Sequence, residues 1–116
     1  MVNPRTGRVF VVTKAADGAG IYRAPRSLSR DHVNVLRRIA PAPSTVTAGS
    51  FYPDANGFVL CNYSKAWIYR DFHHRKARMD KPSLRQGESL EVDRNGTGIL
   101  MGSEGQDSPV YRVVVG

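Results

Sequence analysis

With 116 residues, 41% of them hydrophobic and 23% charged, the chain has the makeup of one small globular domain rather than a disordered segment. A single core of this size buries roughly two thirds of the unfolded surface, and no apolar run approaches the roughly 20 residues of a membrane span. The formal net charge of +7 is unevenly spread: residues 1–40 carry eight Arg/Lys against two Asp, residues 70–85 six against two, and residues 86–116 two against five acids. That asymmetry fits a polyanion partner, head-to-tail association of copies through complementary patches, or a solvated surface.

Taken in order, Asn3-Pro4-Arg5-Thr6-Gly7 is a turn, and Arg8 to Lys14 has the β-branched and aromatic content of a strand. Asn3, Pro4, Arg5 and Arg8 interrupt the early apolar run, so nothing resembles a signal peptide and the chain as written is expected to be cytoplasmic. Asp17-Gly18 marks a turn, Ile21-Tyr22-Arg23 resumes a strand, and Pro25 stops it, giving a hairpin. Ser27 to His32 is polar and suits a turn of helix. Val33 to Ile39 alternates imperfectly as an edge strand, although Val33, Leu36 and Arg37 also fit a helical period. Pro41 and Pro43 make an extended connector.

Residues 47–70, TAGSFYPDANGFVLCNYSKAWIYR, read as a three-strand meander, with Asn56-Gly57 supplying the positive-φ positions of its first turn. Cys61 is the only cysteine, so no internal disulfide exists, and its place among strand residues favours an inert buried thiol over a reactive one. Trp67, Tyr69 and Tyr63 alternate with Lys65 as an aromatic packing face would. Residues 71–82, DFHHRKARMDKP, form an outer edge strand or loop. His73 and His74, being adjacent on a strand, point to opposite faces and cannot share one metal ion. The last third gives a strand from Gly87 to Val92, an Asn95-Gly96 turn, a return strand from Thr97 to Met101, a turn over GSEGQDS, and a final strand opened by Pro109.

The chain repeats itself. Tyr22-Arg23, Tyr69-Arg70 and Tyr111-Arg112 recur after 47 and 42 residues, and Gly7, Gly57 and Gly96 after 50 and 39. A period of roughly 40 to 50 residues built of short strands marks four-stranded propeller blades, each of which needs neighbours to bury both its faces. The predicted fold is therefore all-β, with two to three consecutive antiparallel propeller-type blades in an open or partial β-propeller. The repeats span residues 1–40, 44–82 and 86–116 of a single domain covering 1–116.

FYPDANGFVLCNYSKAWIYR resembles the repeat of TolB-type bacterial β-propellers. More narrowly, Val46-Thr47-Ala48-Gly49, Pro53-Asp54, Gln86-Gly87-Glu88 and Ser103-Glu104-Gly105 with Ser108-Pro109-Val110-Tyr111-Arg112 resemble the C-terminal part of bacterial propeller proteins, mostly secreted, related to esterase-like phytase propellers. The resemblance covers nearly the whole chain, which is short against that family. Starting at Met1, the first repeat is expected to lack its innermost strand. Ser50 stands where the family pattern has Asp, and Cys61 and Lys65 where it has Arg and Asp.

The resemblance implies that Glu88 and Glu104, with Glu91 as a neighbour, lie near a propeller mouth where carboxylates could hold Ca²⁺; otherwise they are structural or solvated, and no cofactor is expected. Arg70, Arg75, Lys76, Arg78, Lys81 and Arg85 have the composition of a polyanion patch, yet basic residues on an edge strand also block edge-to-edge pairing, and no nucleic-acid motif is present. No catalytic residue stands out, because Ser64, Ser89 and Ser103 lack a nucleophile-elbow setting. The reading is a non-enzymatic interaction or ligand-binding module. It is expected to meet a protein partner or to self-associate so that the propeller is completed; a calcium-dependent phytase- or esterase-like hydrolase and a polyanion-binding surface are the alternatives.

Overall fold

Turn residues cut the chain into short β-branched and aromatic runs, and these runs pair with their sequence neighbours. A computed structural model describes residues 1–82 and 87–115, among which there is no helix. The strands are β1 (Phe10–Val12), β2 (Gly20–Arg23), β3 (Arg37–Pro41), β4 (Ala48–Phe51), β5 (Phe58–Cys61), β6 (Lys65–Asp71), β7 (His74–Asp80), β8 (Gly87–Val92), β9 (Gly98–Ser103) and β10 (Val110–Val114). They form three antiparallel meanders, β1-β2-β3, β4-β5-β6-β7 and β10-β9-β8, none of which closes into a barrel. The fold is all-β, and its succession of three-, four- and three-stranded sheets is consistent with partial propeller-type blades.

Stacking explains the composition of the middle sheet. All four residues of β5 are buried, because the sheet is covered on both faces and its strand must be apolar on both. Phe58 and Leu60 point into one core with Phe51, Trp67, Tyr69, Phe10, Ile21 and Ala40 of the first sheet. Val59 and Cys61 point into the other, with Ala66 and with Leu90, Val92, Ile99 and Met101 of the third sheet. Burying side chains such as Phe58 or Leu60 is worth about 1.5–3 kcal/mol each relative to exposure. Phe58 stacks on Tyr69 with ring centroids 4.6 Å apart and planes 8° from parallel. At the junction with the third sheet, β4 runs alongside β8, and Thr47 Oγ1 donates to the Gly87 carbonyl at 2.8 Å.

Several details differ from the sequence reading. Residues 27–32 form no helix and 33–36 no strand; instead Ser29 Oγ accepts from the Asp31 and His32 amides, and Asn34 Oδ1 accepts from the Ser29 amide. Such local bonds satisfy backbone groups that a helix or ladder would otherwise use. Val33 and Val35 project into solvent. The first turn of the meander takes its positive φ at Ala55 (62°) and Gly57 (115°), not at Asn56. Gly57 is needed because a Cβ there would run into the Tyr69 carbonyl. Tyr63 leaves the aromatic face for the β5–β6 loop, while Trp67 and Tyr69 keep it.

The innermost strand of the first sheet is represented by two residues. Val2 bridges to Val9, the Met1 ammonium donates to Phe10 O at 2.9 Å, and Phe10 N donates to Met1 O at 2.8 Å. Met1–Val2 thus sits beside β1 as β4 sits beside β5 and β8 beside β9. The Tyr-Arg repeat is also offset: Arg23 opposes Phe10 and Arg112 opposes Leu100, whereas in the middle sheet the equivalent partner, Val59, opposes Ile68 and Tyr69-Arg70 lies farther along. The slip from Ile68 to Arg70 is even, so each side chain keeps its face.

Candidate binding cleft

Repetition places corresponding hairpin turns side by side. Tyr52 N donates to Gly57 O at 3.0 Å and Asp93 N to Gly98 O at 2.9 Å, closing two loops of matching length at one end of the second and third sheets. Between them lies a cleft of about 540 Å³, lined by the two loops, by Ile68, Tyr69 and Arg70 of β6, by Lys76 and Ala77 of β7, and by Val115. That volume falls in the small-molecule range.

Three cations from three elements face this cleft: Arg70, Lys76 and Arg94. Arg70 is loosely tied to Asp71, with 3.6 Å between Nε and Oδ2. Among the described residues, Lys76 and Arg94 have no ion pair. The one carboxylate on the lining, Asp54, is engaged by its own turn, accepting from the Asn56 amide at 2.8 Å and from Asn56 Nδ2 at 3.2 Å. Burial, with Asp54 adding to it, pushes the Tyr52 hydroxyl above its ordinary value, so it stays a protonated donor at neutral pH. The site can therefore offer positive charge and hydrogen-bond donors above an apolar floor.

The basic run expected as one patch is divided by the strand's alternation. Arg75 opposes Tyr69 and its Nε donates to the Tyr69 hydroxyl at 3.2 Å, and Arg78 opposes Trp67, so both lie on the side of the first core. Lys76 lies on the other side, with Arg70. Lys81 is no part of an exposed patch: it is buried, and its Nζ donates to the Asn62 carbonyl at 2.9 Å and lies 3.7 Å from Cys61 Sγ. The chain turns inward there, with Lys81 N bonded to Ser64 O, and the lysine follows it. Arg85 lies outside the described residues. Cys61 is buried as expected, and desolvation pushes its thiol up despite the nearby lysine.

The acids are separated in use. Glu88 Oε1 accepts from Tyr63 Oη at 3.0 Å and lies 3.2 Å from Lys14 Nζ, so loops of the first two sheets are tied to β8. The Tyr63 hydrogen bond, followed by Lys14, holds its carboxyl below the usual value. Glu91 takes the Ser50 hydroxyl at 3.1 Å. Glu104 follows Ser103 in the exposed β9–β10 loop; the pairing of Gly87 with Ser103 puts it at the same end of the sheet as Glu88. Among the described residues no group of three or more His, Cys, Asp or Glu could hold a metal ion. The Glu88 carboxylate is already engaged by Lys14 and Tyr63. His74 Nδ1 is 2.7 Å from Asp71 Oδ1, and His73 donates its amide to the same oxygen.

Sequence reasoning found Arg70 and Lys76, missed Arg94 and Tyr52, and treated Asn56 and Asn95 only as turn formers. The available signal was the repeat itself, which sets the two turns next to each other. No helix is long and apolar enough to cross a membrane among the described residues. No protein-family profile, curated protein or solved structure matches this chain.

Proposed function

We propose that this chain is a non-enzymatic interaction module of blade-like sheets, and that its partner is a second copy joined head to tail through the two end sheets. The observation that carries this reading is the state of the outer faces. In the first sheet Phe10 and Ile21 point inward, so their neighbours Val11 and Tyr22 point away, and Val11 is 42% exposed with Val2 at 56%. In the third sheet Val113 packs inward, which leaves Val110 and Val114, each 70% exposed, on the outer face around Leu100.

Valines left in water on a sheet face, here beside Arg112 and Glu91, mark a docking surface. The two internal junctions show how such faces are covered in this chain, by stacking another repeat. Charge supports the pairing of opposite ends, since the first 40 residues carry eight basic against two acidic groups and the last 31 carry two against five. A heterologous contact of this kind makes a ring if the rotation closes. Two copies would supply six sheets, within the typical range of about four to eight for propellers. The TolB-like repeat points the same way.

Light scattering during size-exclusion chromatography tests this directly. A discrete dimer is expected, and Val110→Lys with Val114→Lys should give a monomer whose circular dichroism is unchanged. A wild-type monomer at every concentration would overturn the reading.

A further inference from the structure

Apart from self-association, the cleft between the second and third sheets has a chemistry of its own. We infer that it binds the oxyanion of a small organic molecule, a phosphate monoester or carboxylate with an apolar body. The cations come from separate places: Arg70 lies near the end of β6, Lys76 on the edge strand and Arg94 in the neighbouring turn. Surface lysines placed only to protect the edge would not require Arg94, which belongs to another sheet. Two guanidinium groups suit oxyanions because each can present paired N–H donors.

The lining also excludes alternatives. Arg70, Lys76 and Arg94 outnumber the single carboxylate of Asp54 on the lining, so the net field over the cleft is positive. The Tyr52 hydroxyl is a protonated donor, while Ile68, Ala77 and Val115 give an apolar floor that a bare inorganic ion would not use. An anion seated there would touch both sheets and therefore favour the assembled junction.

The test is isothermal titration calorimetry with phenyl phosphate, benzoate and inorganic phosphate. Phenyl phosphate or benzoate should bind saturably, and Lys76→Ala and Arg94→Ala should each weaken binding about tenfold or more, the loss expected for one charge-assisted hydrogen bond. Arg78→Ala, on the same strand but the opposite face, should leave it unchanged. Inorganic phosphate should bind at least about tenfold more weakly, since it gains nothing from the floor. Absence of saturable binding, equal loss in Arg78→Ala, or equal binding of inorganic phosphate would each overturn the inference. The titration is read at a concentration where the chain's mass is known, so failure here leaves the association test standing, and the reverse.

Discussion

Ser50 on β4 donates its hydroxyl to Glu91 on β8 across the junction of the second and third sheets, 3.1 Å from oxygen to oxygen. The same hydroxyl accepts from the Val92 amide at 3.4 Å, so one small buried side chain satisfies groups on the facing strand. An aspartate at position 50 would set its own buried carboxylate against that of Glu91.

Ser50→Ala is therefore expected to cost about 1 kcal/mol, the usual worth of a lost hydrogen bond. Ser50→Asp should cost roughly 3 kcal/mol at neutral pH, because it buries an uncompensated charge. Urea unfolding at pH 7 and pH 4 checks both, and the aspartate variant should recover part of its loss at the lower pH. Equal stability of wild type and Ser50→Asp at pH 7 would show that the junction is not as close as the geometry states.

Ala55 has φ of 62°, and its amide donates to Tyr52 O at 2.9 Å; Gly96, with φ of 69°, occupies the same place in the next repeat and donates to Asp93 O. A left-handed conformation costs an L-residue about 1–2 kcal/mol, while glycine costs about 0.5–1 kcal/mol in chain entropy. Ala55→Gly should thus stabilise by roughly 0.5 kcal/mol. Gly57→Ala should destabilise by more than about 2 kcal/mol, since strain at positive φ adds to a clash with the Tyr69 carbonyl. Denaturant midpoints measured at constant slope decide the signs.

Arg112 Nη2 lies 2.6 Å from Asp93 Oδ2 and holds that carboxyl below its ordinary value of 3.8, with the Gly98 and Thr97 amides assisting. A group depressed on folding contributes stability that is complete above its unfolded value and lost as pH falls through the folded one. Asp93 should therefore add to the melting temperature at pH 5 and above, and progressively less from about pH 4 downward. Arg112→Ala should lower the melting temperature by about 2 °C at pH 6 and flatten this acid limb. An unchanged acid limb in the variant would assign the pH dependence to other carboxylates.

The strands, their antiparallel pairing and the threefold repetition were legible in the residues, because short β-branched runs, turn glycines and a fixed recurrence are local properties that survive in a linear reading. FVLC at 58–61 announced a strand of the meander, and the stretch NPRTG announced the turn that closes Asn3 N onto Arg8 O. What the line of letters could not carry was which side of β7 each basic residue takes. The run from Arg70 to Lys81 looks like one patch in sequence, but period-two alternation and register shifts between β6 and β7 send Arg75 and Arg78 to one face, Lys76 to the other, and leave Lys81 buried beyond the strand's end. Arg94 joined Arg70 and Lys76 only once two sheets had stacked, since residues separated along the chain become neighbours through packing and not through spacing. Sequence alone determined the kind of sheets; tertiary structure decided which charges meet between them.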